Sequence, residues 1–232
     1  MHHKAPGLLD DAREDRFARL PRGLYVLTPE TDDDGWLFVA VAAAIRGGAS
    51  AVQYRNKALA PKERLRQAAR VHDACRGGGA LFLVNDSIEL AAELHADGVH
   101  LGRDDAKPLD ARDRLGNSAI IGVSCYDSLE FALRTREVAD YCAFGSVFPS
   151  KVKPAAVRAP LGLFREAREA GLHPVAIGGI DADNARQVAA AGAAAIAVIT
   201  ATFGEASEKR DPAAIEDHAR RILKAFEAGR SG

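Results

Sequence analysis

The sequence predicts an α/β protein with a single (β/α)8 TIM barrel, and three observations favour this fold. Short apolar runs alternate with helical patterns eight times without a break. Each strand-helix unit takes about 25 residues, so eight units account for most of an ordinary barrel domain. Glycines stand between a helix and the next strand at Gly47, Gly98 and Gly192, where glycine turns the chain at little steric cost.

The predicted strands are short apolar runs that end in glycine or polar residues. They span Gly23–Thr28, Ala51–Arg55, Ala80–Asn85, Gly98–Gly102, Ala119–Ser124, Tyr141–Gly145, Pro174–Gly179 and Ala194–Thr200. Helices are predicted between and after them, over about Trp36–Gly47, Pro61–Arg76, Ser87–Ala96, Pro108–Leu115, Ser128–Val138, Gly162–Ala170, Asp183–Ala191 and Pro212–Ala228. An open doubly wound sheet remains the alternative, because strand count alone does not close a barrel. A dinucleotide-binding version is disfavoured, since no Gly-x-Gly-x-x-Gly follows the first strand.

The domain prediction is one barrel over residues 23–228, preceded by an arm. Residues 1–22 carry charges of both signs and no long apolar stretch. We therefore expect a flexible or loosely docked N-terminal arm and no signal peptide.

Composition excludes several functions and favours a cytoplasmic protein. The formal net charge is −1 and aromatic residues make up 6%, which argues against nucleic acid and anionic membranes as partners. No apolar run reaches the roughly 18 residues of a membrane span. The three cysteines, Cys75, Cys125 and Cys142, are odd in number and far apart, so we expect neither a disulfide framework nor a zinc knuckle.

Polar residues cluster where the predicted strands end. They are Gln53 to Lys57, Asn85–Asp86, Asp104–Asp105, Ser124, Ser150 to Lys153 and Gly178–Gly179. If the strands are parallel neighbours, one rim of the barrel combines carboxylates, cations and hydrogen-bond donors. This composition is typical of a site for magnesium and pyrophosphate.

The second strand supplies the cations. Gln53, Arg55 and Lys57 alternate along it, so they share one face. Two cations at the interior rim need an anion, and phosphate oxygens suit both guanidinium and ammonium groups. The alternatives are a structural ion-pair network, or a Lys57 that lies in a solvated loop.

The third and fourth strands supply carboxylates. Asn85–Asp86 and Asp104–Asp105 follow them, and oxygen ligands from neighbouring strand ends favour a sparse Mg²⁺ site completed by water and substrate. The alternatives are that Asp86 caps the next helix and that Asp104 is a solvated loop charge.

The remaining candidates have weaker signals. Ser124 is predicted to donate to phosphate rather than to act as a nucleophile, because no nucleophile elbow or Ser-His-Asp spacing is present. His100 is predicted to be packed and hydrogen-bonded rather than catalytic. The basic loop after the sixth strand either closes over a phosphorylated substrate or is solvated. Gly178–Gly179 and Ile199–Thr200 end the last two strands, where barrel enzymes often bind phosphate.

Taken in order, these motifs resemble the thiamine-phosphate synthase family. The resemblance runs from about Gly23 to Gly204 and depends on six short motifs. They are Gln53–Tyr54–Arg55–x–Lys57, Asn85–Asp86, Asp97 to Gly102 with Asp105, Gly122–Val123–Ser124, Phe144–Gly145 with Phe148–Pro149–Ser150 and Lys153, and Ala176 to Ile180.

The resemblance implies a reaction, a cofactor and a role for each site residue. The reaction joins an aminopyrimidine diphosphate to a thiazole phosphate and releases pyrophosphate, with Mg²⁺ as cofactor, and the implied assembly is a homodimer. Metal binding is assigned to Asp86 and Asp105. Contacts to the pyrimidine and its pyrophosphate are assigned to Gln53, Tyr54, Arg55, Lys57, Asn85, Ser124 and Lys153, of which Arg55, Lys57, Ser124 and Lys153 stabilise the leaving group. The thiazole phosphate is assigned to Ser150, Gly179, Ile199 and Thr200.

The chain departs from the family pattern at three positions. Val152 stands where the family usually has a threonine, and Arg103 stands where it commonly has a glutamine beside the metal-binding aspartate. Asn56 stands where the family frequently has a glutamate. We expect Arg103 to pair with Asp104 or to reach the pyrophosphate. Two rival functions remain: a paralogue that isomerises the thiazole phosphate, and a regulatory barrel that only binds phosphate.

Overall fold

Eight parallel strands form a closed barrel in chain order, and the first strand pairs with the eighth. The computed structural model describes residues 7–103, 105–149 and 157–230, with side chains from residue 12 onward. The strands are β1 Gly23–Leu27, β2 Ala49–Tyr54, β3 Leu81–Asn85, β4 Gly98–Leu101, β5 Ile120–Tyr126, β6 Tyr141–Phe144, β7 Pro174–Ile177 and β8 Ala195–Val198. The predicted barrel is confirmed, and the pairing of β1 with β8 excludes the open sheet.

The helices from α2 onward surround the barrel, and three of them begin at residues whose side chains cap the first turn. They are α1 Gly7–Arg19, α2 Asp34–Arg46, α3 Pro61–Gly78, α4 Ile88–Glu93, α5 Pro108–Leu115, α6 Leu129–Thr135, α7 Gly162–Glu169, α8 Ala185–Ala190, α9 Gly204–Glu208 and α10 Pro212–Arg230. The side chains of Asp33, Ser87 and Ser128 accept hydrogen bonds from the first turns of α2, α4 and α6. Such caps satisfy helix N–H groups that have no partner within the helix. Ser87, rather than Asp86, caps α4, so the Asp86 carboxylate is available to the rim.

Two apolar layers hold the strands in place. Inside the barrel, Tyr25, Leu83 and Ile120 belong to one buried cluster. Between strands and helices, a larger cluster includes Phe82 and Phe144, which alternate with inward-facing residues on their strands. The interior is therefore filled near its middle, and the open volume lies at the strand ends.

The N-terminal segment, predicted to be a flexible or loosely docked arm, is helical over residues 7–19. It contains α1, which lies across the N-terminal ends of the strands. Arg16 Nε lies 2.7 Å from Asp140 Oδ1, and Arg112 from α5 lies 2.8 Å from Asp140 Oδ2. Leu20, just after the helix, is 3% exposed. Arg16 of this segment therefore joins a buried ion-pair cluster with Asp140 and Arg112, which docks the segment onto the barrel.

Two smaller differences concern helices late in the chain. The short helix α9 was not predicted, and α10 extends to Arg230, two residues beyond the predicted end of the barrel domain. Among the helices of the described ranges, none is long and apolar enough to cross a membrane.

Candidate active site

The carboxyl ends of β2 to β5 bring most of the predicted site residues together. Asn85 pairs with His100 across β3 and β4, and the Asp86 backbone N–H donates to the His100 carbonyl oxygen at 2.9 Å. A cavity of about 300 Å³ opens here, lined by Tyr54, Asn56, Lys57, Arg64, Asn85, Asp86, Ser87 and Leu90. A second cavity of about 170 Å³ lies at the opposite end beneath α1 and contains none of the predicted site residues.

Both rim cations from the second strand are paired with carboxylates. Arg55 lies 2.6 Å from Glu30 Oε1, and Lys57 Nζ lies 2.8 Å from Asp86 Oδ2. The Thr28 hydroxyl donates to the Arg55 carbonyl oxygen at 3.1 Å and accepts a hydrogen bond from the Arg55 backbone N–H at 2.9 Å. The Lys57 side chain is 59% exposed and that of Arg55 31%, so an incoming anion can reach both cations.

The two predicted metal ligands are in hydrogen-bond contact with each other. The pKa of Asp105 is raised, first by burial and then by its hydrogen bond to Asp86. Burial also acts to raise the pKa of Asp86, but hydrogen bonds from Lys57 and Asp105 outweigh it and the pKa is lowered. The Gly102 N–H donates to Asp105 Oδ2 at 2.8 Å, which turns this carboxyl toward β4.

A pair of carboxyl groups this close shares a proton unless a cation neutralises it. Its oxygen atoms are the hard ligands that Mg²⁺ prefers. The residues therefore fit a divalent cation, although no cluster of three or more His, Cys, Asp or Glu side chains arranged for a metal occurs in the described residues. Two protein ligands with water and substrate phosphate suit Mg²⁺, which retains several non-protein ligands.

Ser124 has a histidine partner that the sequence analysis did not find. His100 Nε2 lies 2.9 Å from Ser124 Oγ, and His100 Nδ1 lies 2.9 Å from the Tyr141 hydroxyl. Burial lowers the pKa of His100 to about 4, so the ring is neutral near pH 7. The prediction that His100 is packed and hydrogen-bonded is confirmed. Its pairing with Ser124 was hidden because adjacent strands place residues 24 positions apart side by side.

Gln53 points into the barrel as predicted, but it contacts two residues that the sequence analysis missed. Its Nε2 donates to the Tyr25 hydroxyl at 2.5 Å, and Tyr25 lies 3.1 Å from the Tyr141 hydroxyl. Tyr25 and Tyr141 are fully buried. A possible signal was that each is a tyrosine in an otherwise apolar strand, where a buried hydroxyl needs a partner.

Tyr54 and Asn56 line the rim cavity, but their polar groups bond to neighbouring parts of the protein. The Tyr54 hydroxyl donates to Gln67 Oε1 at 3.1 Å on α3, because successive residues of a strand point to opposite sides. Asn56 is buried, donates to the Thr31 carbonyl at 2.8 Å and accepts from Ala58 N at 3.1 Å. The Tyr54 hydroxyl thus lies in the packing between β2 and α3, while the residue also lines the rim cavity, and its contact to the substrate stays a prediction. Asn56 shapes the loop that presents Lys57.

Arg103 stacks on aromatic side chains near the end of β5, and its contact to the pyrophosphate stays a prediction. Its guanidinium carbon lies 4.6 Å from the Tyr126 ring centre and 5.5 Å from that of Phe131, and it donates to the Cys125 carbonyl at 3.3 Å. The expected pairing with Asp104 concerns a residue outside the described part of the chain. Arg103 is a stacked rim residue beside β5.

The ends of β7 and β8 bring the remaining candidates to the same rim. Gly179 has a φ of +67°, and a Cβ there would lie 2.5 Å from the Pro149 carbonyl oxygen. Glycine at this position therefore lets β7 approach the loop after β6. Ile199 accepts from Thr202 N and Phe203 N at 3.1 and 3.0 Å, which turns the chain after β8 and leaves Thr200 exposed. Ser150, Lys151, Val152 and Lys153 lie outside the described residues.

The fold and the rim together define a class: a (β/α)8-barrel enzyme that handles a phosphorylated substrate at the carboxyl ends of its strands. Comparison with known proteins then specifies the family. A family profile described as "Thiamine monophosphate synthase" matches residues 24–202. A thiamine-phosphate synthase of Chromobacterium violaceum is 54% identical over 182 residues, which cover 78% of this chain and 88% of the relative. Another, of Thioalkalivibrio sulfidiphilus, is 49% identical over 210 residues, 89% of this chain and 96% of the relative.

A solved structure agrees with these sequences. The thiamine phosphate pyrophosphorylase of Pyrococcus furiosus superposes with a TM-score of 0.76 at 34% identity, covering 90% of this chain and 98% of the other. This chain therefore belongs to the thiamine monophosphate synthase family. The family and the transferase function predicted from the sequence are confirmed.

Proposed function

We propose that this chain joins 4-amino-2-methyl-5-(diphosphooxymethyl)pyrimidine to 4-methyl-5-(2-phosphoethyl)thiazole at the rim formed by β2 to β8. The bond from the pyrimidine methylene carbon to the pyrophosphate oxygen breaks, and the thiazole nitrogen bonds to that carbon. The products are thiamine phosphate and pyrophosphate. The observation that carries this proposal is the placement of Arg55 and Lys57 beside the Asp86–Asp105 pair at one strand edge.

In this proposal the rim cations stabilise the leaving pyrophosphate. Arg55 and Lys57 exchange their carboxylate partners, Glu30 and Asp86, for phosphate oxygens when the substrate binds. Ser124 and Lys153 add a hydroxyl donor and a third cation. Charge that grows on the departing group is thereby matched by groups already oriented toward it.

Asp86 and Asp105 would hold the Mg²⁺ ion. When bound, the ion supplies positive charge to the pyrophosphate oxygens. A carboxyl group must be deprotonated to bind a cation. Because the pKa of Asp105 is raised, protons compete more strongly with the metal at Asp105 than at an isolated aspartate.

The two ring substrates occupy opposite parts of the rim in this assignment. Gln53 and Asn85 contact the aminopyrimidine from β2 and β3. Ser150, Gly179, Ile199 and Thr200 hold the thiazole phosphate from the loops after β6, β7 and β8. Positioning the thiazole nitrogen against the methylene carbon then accounts for much of the rate, which agrees with the lack of a nucleophile elbow in the sequence.

The direct test incubates purified protein with both substrates and Mg²⁺ and follows thiamine phosphate by mass spectrometry, with and without EDTA. We expect product that EDTA suppresses and added Mg²⁺ restores. A folded protein that forms no product would contradict the proposal and favour a thiazole-isomerising or phosphate-binding role.

The metal assignment makes a separate prediction. Asp86→Asn and Asp105→Asn each remove one negative ligand, so the Mg²⁺ concentration for half-maximal turnover should rise about tenfold or more. Asp110→Asn, an exposed acid nearby on α5, is the control and should leave it unchanged. Equal Mg²⁺ requirements in all three variants would remove Asp86 and Asp105 as ligands.

The proposal extends to compartment and assembly. The three cysteines are buried and free, as expected for a protein of the reducing cytoplasm. The homodimer implied by the resemblance stays a prediction. Light scattering of the purified chain decides between a mass of one and two copies.

A further inference from the structure

Five side chains form a continuous hydrogen-bond chain through the interior of the barrel. It runs from Gln53 on β2 through Tyr25 on β1, Tyr141 on β6 and His100 on β4 to Ser124 on β5. The four heavy-atom distances are 2.5, 3.1, 2.9 and 2.9 Å. All members except Ser124 are at most 8% exposed, so water does not compete for the intermediate links.

The direction of the hydrogen bonds follows from counting hydrogens. The Gln53 amide nitrogen can only donate, and it donates to the Tyr25 oxygen. The Tyr25 hydrogen then goes to Tyr141, and the Tyr141 hydrogen to His100 Nδ1. A neutral imidazole has one N–H, which is left on Nε2 and points at Ser124 Oγ. The hydrogen of the Ser124 hydroxyl is therefore not used within the chain.

If the hydrogen bond between the two tyrosines ran the other way, one buried hydroxyl hydrogen would have no acceptor. If Tyr141 donated to Tyr25, no side chain in the described residues would accept the Tyr25 hydrogen. A buried donor without an acceptor is unfavourable by more than a typical hydrogen bond contributes. With Gln53 donating to Tyr25, every buried N–H and O–H of the chain has an acceptor only if each residue donates to the next one toward Ser124.

We propose that His100, Tyr141 and Tyr25 are positioning residues, whose one-way hydrogen-bond chain presents the Gln53 carbonyl oxygen as an acceptor and the Ser124 hydroxyl as a donor. The free Gln53 Oε1 suits an amino group on a pyrimidine, and the free Ser124 hydrogen suits a phosphate oxygen. One buried chain thus orients two groups on opposite walls of the site for the two ends of one substrate. This inference rests on the proposed function of Ser124 and Gln53.

The direction of the chain can be read from the tautomer of His100. Protein labelled with ¹⁵N-histidine, with the His100 signals assigned by their loss in His100→Gln, should show a protonated Nε2 and a bare Nδ1. A proton on Nδ1 would overturn the proposal, because Ser124 would then donate inward and Gln53 would be rotated. This measurement needs no substrate, so it decides the direction of the chain even if synthase activity is absent.

Kinetics test whether the chain acts on the reaction. Tyr141→Phe keeps the ring and removes the hydroxyl, so we expect kcat to fall about tenfold with the KM for the thiazole phosphate unchanged. His100→Gln places an amide N–H near the position of Nε2 and should retain at least about ten times the kcat of His100→Leu.

The control for these variants is another buried histidine. His173 Nε2–H donates to the Pro21 carbonyl oxygen, 2.8 Å away at the other end of the barrel, and His173→Gln should leave kcat unchanged. If Tyr141→Phe keeps full kcat, or if His100→Gln and His100→Leu lose activity equally, the chain has only a structural role and the proposal fails.

Discussion

At the scale of single residues, the site contains groups that compete with its ligands. Arg55 and Lys57 are held by Glu30 and Asp86, and Asp86 and Asp105 share a hydrogen bond. These contacts hold the charged groups near their working positions at small energetic cost, because partly exposed ion pairs are weak, at about 0–1 kcal/mol. Substrate and metal can therefore replace them readily.

Glu30 offers a direct test of this competition. In Glu30→Gln, Arg55 loses its carboxylate partner, and pyrophosphate affinity should rise about two- to fivefold, the effect of a partly exposed ion pair. Calorimetric titration of pyrophosphate with Mg²⁺ measures it. Glu216→Gln, which removes the partner of Arg46 on the outer helices, is the matched control. Weaker pyrophosphate binding in Glu30→Gln would show that Glu30 orients Arg55 rather than competing for it.

At the scale of elements, close approach between β7 and the loop after β6 forms one wall of the site. Val147 N donates to the Ile177 carbonyl and Phe148 N to that of Gly178, both at 3.0 Å. Gly179 follows with positive φ directly against Pro149. Any side chain here would push the loop away from the strand end.

The prediction for this wall compares two glycines with similar backbone conformation. Gly179 and Gly171 have φ of +67° and +77°, but nothing lies within 4 Å of a Cβ placed on Gly171. Gly171→Ala should lower the free energy of unfolding by about 1–2 kcal/mol, the cost of the left-handed region, with unchanged KM. Gly179→Ala should also raise the KM for the thiazole phosphate about tenfold or more. Equal KM values in the two variants would contradict the assignment of Gly179 to that substrate.

The helix α1 makes a second prediction at this scale. Asp140 is 6% exposed and pairs with both Arg16 and Arg112, so Asp140→Asn leaves two poorly compensated cations. We expect a loss of about 3 kcal/mol in the free energy of unfolding with little change in kcat, because the cluster lies at the end of the barrel opposite the site. Chemical denaturation measures it, with Glu137→Gln as the exposed-pair control. A large fall in kcat at unchanged stability would contradict a purely structural role for α1.

At the scale of the whole molecule, the buried histidines predict how stability depends on pH. Burial lowers the pKa of His100 and His173 to about 4 each, against about 6.5 in an unfolded chain. The stability that the two neutral histidines contribute is fully present above about pH 6.5. It is lost as pH falls toward 4, because over this range the unfolded chain binds protons that the folded protein does not.

The expected size of this effect is measurable by urea denaturation. Between pH 7.5 and 5, each histidine should lower the free energy of unfolding by roughly 2 kcal/mol. His173→Gln should remove about half of the decrease that the two histidines cause. A free energy of unfolding that stays constant over this range would show that the histidines are solvated in the folded protein.

The alternation of strands and helices, the rim location of the polar motifs and the family could all be predicted from the sequence. These features are local: apolar periodicity, caps and short motifs are each read within a few residues. They sufficed to place Gln53, Arg55, Asn85, Asp86 and Asp105 on one edge. For Tyr54, strand alternation adds what motif membership does not show, namely that its hydroxyl turns toward α3.

The contacts between residues far apart in the chain could not be predicted from the sequence and depend on how the barrel closes. Barrel closure places β1 beside β8 and brings Tyr25, His100 and Tyr141 into one chain, although 116 residues separate the two tyrosines. Likewise Arg16 finds Asp140 across 124 residues and turns a charged N-terminal segment into a docked helix. Buried polar groups require partners, but the partner is set by strand register and tilt. Those follow from the packing of the whole barrel, not from any local stretch of sequence.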